Sequence, residues 1–265
     1  MLIIEQNRSA KPLLACLFII GLVIIGTTYI DKQIGEITTD LMYVHITGAL
    51  VILTLILAVR FRLKGSHGKA WALFLGAMTS WFIAETLWTV YELIYHVNPF
   101  PSLADVFYIA GYPFMLLFLI NYIKPIKKAI TRKMLVTAIS VSIAMAIPGI
   151  YMAYSFDPKV SWFENIIATT YPIADSIIFV PAIIGISLFF RGEVNFTWSL
   201  ICIGIVCSFL GDTGFQFAQF TETYYTGHPV DVVLLWSYIL YAFGVYDHIK
   251  IFGKNIERNS NKISR

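Results

Sequence analysis

The chain has 265 residues, of which 58% are hydrophobic and 13% charged; nineteen bases against sixteen acids leave a net charge of +3. The charged share is about half of the roughly 25% usual in soluble domains. That balance excludes a disordered chain, a basic nucleic-acid binder and a soluble domain with a charged coat. Eight apolar segments follow in chain order: 12–30, 41–60, 70–95, 101–123, 131–154, 162–190, 194–220 and 229–252. Each is long enough to cross a hydrocarbon core of about 30 Å at roughly 1.5 Å per residue. The fold class predicted is all-α: a polytopic membrane protein, an eight-helix transmembrane bundle in the lipid bilayer. Residues 1–252 form its one domain, and 253–265 a polar tail. The first apolar run, Leu13 to Ile30, is long for a signal-peptide core and ends in Thr27-Thr28-Tyr29, so it reads as an uncleaved span.

Charge orients the spans. Arg60, Arg62, Lys64 and Lys69 join spans two and three, and Lys124, Lys127, Lys128, Arg132 and Lys133 join four and five. Lys250, Lys254, Arg258, Lys262 and Arg265 close the chain, and Arg8, Lys11 and Arg191 fall on the same side. Only Lys32 and Lys159 lie opposite. The positive-inside rule then predicts cytoplasmic termini in a cell (inner) membrane.

The two halves resemble each other. Phe82-Ile83-Ala84-Glu85-Thr86-Leu87-Trp88 in span three matches Phe209-Leu210-Gly211-Asp212-Thr213-Gly214-Phe215 in span seven. Asp105 and Tyr112 follow the first motif as Asp231 and Tyr238 follow the second. Four spans per half preserve orientation, so 12–123 and 131–252 are expected to be parallel repeats. Asp175 falls opposite Gly48 in that register.

Five of the carboxylates in or at the ends of apolar segments are the candidates: Glu85, Asp105, Asp175, Asp212 and Asp231. An aspartate at bilayer depth costs roughly 2.5–3.5 kcal/mol on insertion scales and usually faces a bundle interior. No lysine or arginine occurs in 70–123, 160–190 or 192–249 to neutralise them. They therefore hold protons, bind a cation or face water. Asp105 and Asp231 each follow a proline at a helix start, where an acid in the first turn is also ordinary capping chemistry. Asp175, Glu85 and Asp212 lie deeper and are the stronger site candidates, against structural hydrogen bonds to neighbouring helices. Pro172, three residues before Asp175, is expected to break span six there. Trp88 shares a helix face with Glu85, and Tyr112, Tyr171 and Tyr238 lie near the other acids, so aromatic rings are expected to line a pocket for an apolar or cationic ligand.

No cofactor is implied. No lysine lies deep in a span to hold retinal, nothing points to haem, and no histidine pair has HxxxH or HExxH spacing for a metal. Cys16, Cys202 and Cys207 read as small buried hydrophobes. There is no nucleophile elbow, phosphate loop or nucleotide fingerprint, so catalysis is not the leading reading.

Several segments together resemble a known kind of domain: WFIAETLWTVYEL (81–93), PSLADVFYIAGYPF (101–114), YPIADSIIF (171–179), LGDTGFQF (210–217) and PVDVVLLWSYILYAFG (229–244). In this order they are similar to the multi-pass N-terminal membrane domains that precede GGDEF and EAL signalling domains in prokaryotes. The resemblance implies a sensory input module. No output domain follows in these residues, so the expectation is a stand-alone module with a cytoplasmic signalling partner. Its ligand-binding residues are expected to be Glu85, Asp105, Asp175, Asp212, Asp231, Trp88, Tyr112, Tyr171 and Tyr238, in an outward-opening acidic pocket for a small ligand or cation. A proton- or cation-coupled transporter is the first alternative. The second is a membrane hydrolase, since Gly211-Asp212 in a late span also resembles the lysoplasmalogenase-type enzymes.

Overall fold

The computed structural model describes residues 2–61, 65–190 and 196–263, with side chains described from residue 11 except at 66, 189, 190 and 251–263. Arg8, Arg62, Lys64, Arg191, Lys254, Arg258, Lys262 and Arg265, which carry part of the charge asymmetry, lie outside the described side chains. Eight helices are long and apolar enough to cross a membrane, and no strand occurs among the described residues. They are α1 (Leu2–Ile30), α2 (Lys32–Phe61), α3 (Gly65–Thr89), α4 (Leu103–Ile123), α5 (Arg132–Ala153), α6 (Trp162–Phe190), α7 (Phe196–Phe220) and α8 (Pro229–Ile263). Helix is the form expected because every backbone group in hydrocarbon must find its partner within the segment.

Three elements differ from the sequence expectation. Helix α2 starts at Lys32 rather than at 41, because the Asp31 carboxylate accepts the backbone N–H groups of Gln33 (2.8 Å) and Ile34 (3.1 Å). The polar run 32–40 is thereby helical, and Gly35, Thr39 and Asp40 are buried. Helix α3 passes into a π-helical turn over Val90–Ile94, closed by Tyr95 N–H donating to Val90 O at 3.1 Å. Helix α6 runs unbroken through Pro172 and Pro181. Pro172 removes only the one donor that would reach Ala168 O, and the remaining backbone bonds keep the helix continuous; near it Thr169 donates to Asn165 O and Ser176 to Pro172 O, both at 2.7 Å. At the chain's end, α8 continues as a helix past 252 to Ile263.

The packing of the first four helices is matched by that of the last four. Helix α1 packs on α2 as α5 does on α6, α2 on α3 as α6 on α7, and α3 on α4 as α7 on α8. Across the middle, α8 packs on α2 and α4 on α6. Close approach depends on small residues at the crossings. A Cβ on Gly111 would collide with the Trp81 indole, and one on Gly211 would meet Leu234 at 2.5 Å.

Below the middle of the bundle, at the end where the basic loops lie, the core is aromatic. Trp71, Phe74, Phe118 and Trp198 are fully buried. Tyr122 stacks on Trp198 with ring centroids 4.3 Å apart and planes 3° from parallel. Cys202 is buried in this same cluster, and Cys16 and Cys207 are half-buried; all three are free thiols.

Candidate functional site

The acids occupy the other half of the bundle, and tyrosines meet four of them. Tyr238 on α8 donates its hydroxyl to Glu85 Oε1 on α3 at 2.8 Å, and Tyr108 on α4 also reaches Glu85. Tyr112 on α4 donates to Asp175 Oδ1 on α6 at 2.8 Å. Tyr171 on α6 donates to Asp105 Oδ1 on α4 at 2.6 Å. Tyr43 on α2 (3.4 Å) and Tyr224 in the loop before α8 (3.2 Å) both donate to Asp231 Oδ1. Each of these bonds but the last crosses between helices, so the acids tie α2, α3, α4, α6 and α8 together.

Asp212 is the acid without a tyrosine. Its carboxyl is within hydrogen-bond reach of Asp175, so neighbouring turns of α6 and α7 hold two carboxyls against each other. Tyr112 occupies Asp175 Oδ1 as a donor. A carboxyl–carboxyl contact has no donor of its own unless a proton or cation sits in it. Asp212 also acts electrostatically on Glu85 and on Tyr171 and Tyr238. Glu85, Asp175 and Asp212, the three deepest acids, therefore lie within one polar core.

The first turns of α4 and α8 are built alike. Ser102 Oγ accepts Ala104 N–H at 3.1 Å, and Asp105 Oδ2 accepts Ser102 N–H at 2.7 Å, a reciprocal capping box. In α8, His228 Nδ1 accepts Val230 N–H at 3.2 Å and Asp231 Oδ2 accepts Gly227 N–H at 2.8 Å. Tyr43 and Tyr171 stand in matching places, each reaching the acid of the other half. If those tyrosines set the register, Asp175 falls opposite Thr47, not Gly48. Asp105 and Asp231 thus cap a helix, one of the two readings considered for them, and each also takes a hydroxyl from another element.

Burial shapes the site. Glu85 is 7% exposed and Asp105, Asp175 and Asp231 are each 2% exposed, whereas Asp212 is half-buried. The carboxyls are enclosed rather than arrayed along an open cleft. A groove of about 460 Å³ between α1 and α2, lined by Ile37, Leu41 and His45 among others, contains none of them. In the loop, burial pushes the Tyr224 phenol above its ordinary range, with the Asp231 charge adding to the effect. Burial also holds His228 below the usual histidine range, in keeping with an unprotonated Nδ1 that caps α8.

Trp88 does not serve Glu85. Its indole N–H donates to Glu92 Oε2 at 2.9 Å, and its ring meets those of Tyr108 and Phe215.

Two groups of polar residues escaped the sequence reading. Asp40 and Glu92 form one with the loop 221–228: Thr226 Oγ1 donates to Glu92 Oε1 at 2.7 Å, and Glu92 and Asp231 both act electrostatically on Asp40. The signal was faint, since Asp40 lies one residue outside the apolar run and Glu92 close to the outer end of span three. The other is His67 on α3 and His248 on α8, whose Nε2 atoms are 3.1 Å apart at the basic end. They are far apart in sequence, and only the fold joins them. Among the described residues no three His, Cys, Asp or Glu side chains are grouped to hold a metal ion. No protein-family model matches the chain, and neither a curated protein nor a solved structure matches it.

Proposed function

We propose that the chain is a membrane-embedded binding and sensory module of a prokaryotic cell membrane, with both termini cytoplasmic. The observation that carries this reading is the gathering of Glu85, Asp175 and Asp212, from three helices, into one core ringed by Tyr108, Tyr112, Tyr171 and Tyr238. Buried carboxylates with no basic partner select a positive ligand, and aromatic rings around them select an organic one. The ligand class is accordingly an organic cation, entering from the side on which Asp105 and Asp231 form the rim. Each of the rim acids ties helices of opposite halves. Displacing a tyrosine from its acid would loosen those ties and alter how α4 and α8 lie against their neighbours. Such a change reaches the basic loops 60–69 and 124–133, where a separate cytoplasmic signalling partner would read it. A ligand does this only if it binds the two packings unequally.

The test is thermal unfolding of the purified protein in lipid nanodiscs with a panel of primary and quaternary alkylammonium ions. Stabilisation that saturates with concentration and disappears in Asp175→Asn/Asp212→Asn is expected. No response from any member of the panel would contradict the reading.

One observation favours a second reading. Two carboxyls in contact, sharing a single proton, are equipped to act as a general acid and a general base on one water. A membrane hydrolase of lipid ethers or esters would use Asp175 and Asp212 in that way. Turnover of lysoplasmalogen by the purified protein, lost in Asp212→Asn, would support it over the binding module.

A further inference from the structure

Apart from the tyrosine-ringed core, a second polar site lies at the outer end of α2. Asp40 is 2% exposed, and its Oδ2 atom has no hydrogen-bond donor. Beside it in sequence, Thr39 is fully buried and its hydroxyl is also without a partner. This is unusual within the molecule. Among the described residues, the buried threonines Thr47 and Thr54 donate to the carbonyl four residues earlier, and Thr197 and Thr226 donate to carboxylates. The hydroxyl of Thr89, one turn before Glu92, is buried and unpartnered as well.

The surroundings of Asp40 are acidic. Glu92, Glu85, Glu36 and Asp231 all act on it. Loop 221–228 closes over this region. Thr226 holds Glu92, and Thr28 Oγ1 donates to Gly227 O at 3.2 Å. Gly227 has φ +92°, and a Cβ there would come within 3.4 Å of Thr39 Oγ1, so the threonine hydroxyl is directed at the loop. A buried carboxyl oxygen with no donor, next in sequence to a buried hydroxyl with no partner and among other acids, calls for a proton or a cation.

We propose that Asp40 and Thr39, with Glu92 behind them, bind a small monovalent metal cation beneath loop 221–228. The donors are carboxylate and hydroxyl oxygens, which suit hard cations rather than zinc or copper. Among the described residues no three carboxylates are grouped closely enough to hold a divalent ion. The bound ion would neutralise Asp40 and fasten the loop to α2 and α3. This site does not use the Asp175 and Asp212 carboxyls of the core.

The experiment is thermal unfolding of the full chain in zwitterionic nanodiscs, in sodium, potassium or lithium chloride against N-methylglucamine chloride at equal ionic strength. One alkali ion is expected to raise Tm by several degrees and to saturate. Asp40→Asn should abolish that dependence, because an amide supplies no charge to balance. Thr39→Val, which keeps the shape and removes the hydroxyl, should weaken apparent affinity at least tenfold. It serves as the test should the asparagine variant fail to fold. The Asp175→Asn/Asp212→Asn protein should keep the full alkali response. No alkali response in the unmodified chain would overturn the proposal. So would an unchanged response in Asp40→Asn or Thr39→Val, or a response lost only in the core double variant.

Discussion

Asp231→Ala is expected to lower the unfolding free energy by about 3 kcal/mol, since it strands two buried donors at once. The Gly227 N–H and the Tyr224 hydroxyl end on this carboxylate, the Tyr43 hydroxyl is shared between it (3.4 Å) and the Asp231 backbone carbonyl (3.3 Å), and Asp231 is 2% exposed, so water does not replace the lost acceptor. The loss compounds a helix-end effect: an acid in the first turn of α8 offsets the positive end of the helix dipole. Asp231→Asn keeps one acceptor and the shape, and is expected to cost about 1 kcal/mol. Equilibrium unfolding in mixed micelles separates the two variants. Equal, small losses for both would mean that the carboxylate is not the hub of this loop.

Trp71→Ala is the second large effect, at about 3–5 kcal/mol. Trp71 is fully buried, and its ring meets Phe74, Phe118, Tyr122 and His248. Its indole N–H donates to His67 Nε2 at 3.2 Å. In a bilayer the cost comes from lost packing more than from exposure to water, because lipid is as apolar as the core. Trp71→Phe refills most of the volume and should recover more than half of the loss in the same unfolding measurement. A loss under about 1 kcal/mol for the alanine variant would mean that the aromatic cluster repacks freely.

Most of the fold was legible because hydrocarbon leaves few options. An apolar run of span length with few charges is a helix, and each of the eight segments holds one. What misled was polarity at a helix end. The run 32–40 contains Lys32, Glu36 and Asp40 and reads as a connection, yet the Asp31 side chain starts the helix there. Pro172 looked like a break, but it removes a single backbone bond and the helix runs on through it. The π turn at 90–94 had no signal in the residues.

Within the candidate site, the acids were visible because lipid penalises them, and their spacing pointed to matched halves. Their partners were only partly visible. Tyr112, Tyr171 and Tyr238 were chosen for lying near acids in sequence, whereas the bonds they make reach acids on other helices. Tyr171 serves Asp105 rather than Asp175, and Tyr238 serves Glu85 rather than Asp231. Tyr43 and Tyr224 were missed for the same reason. A one-dimensional reading ranks neighbours along the chain, and a helical bundle joins residues across it.

The central claim is that intramembrane carboxylates from separate helices meet in one site, and the contact of Asp175 with Asp212 is its sharpest expression. A double-mutant cycle on unfolding free energy, with Asp175→Asn and Asp212→Asn made singly and together, tests it directly. The two changes should couple by about 1 kcal/mol or more, as residues in contact do. Additivity within about 0.3–0.5 kcal/mol would place the two side chains in separate seams and contradict the claim.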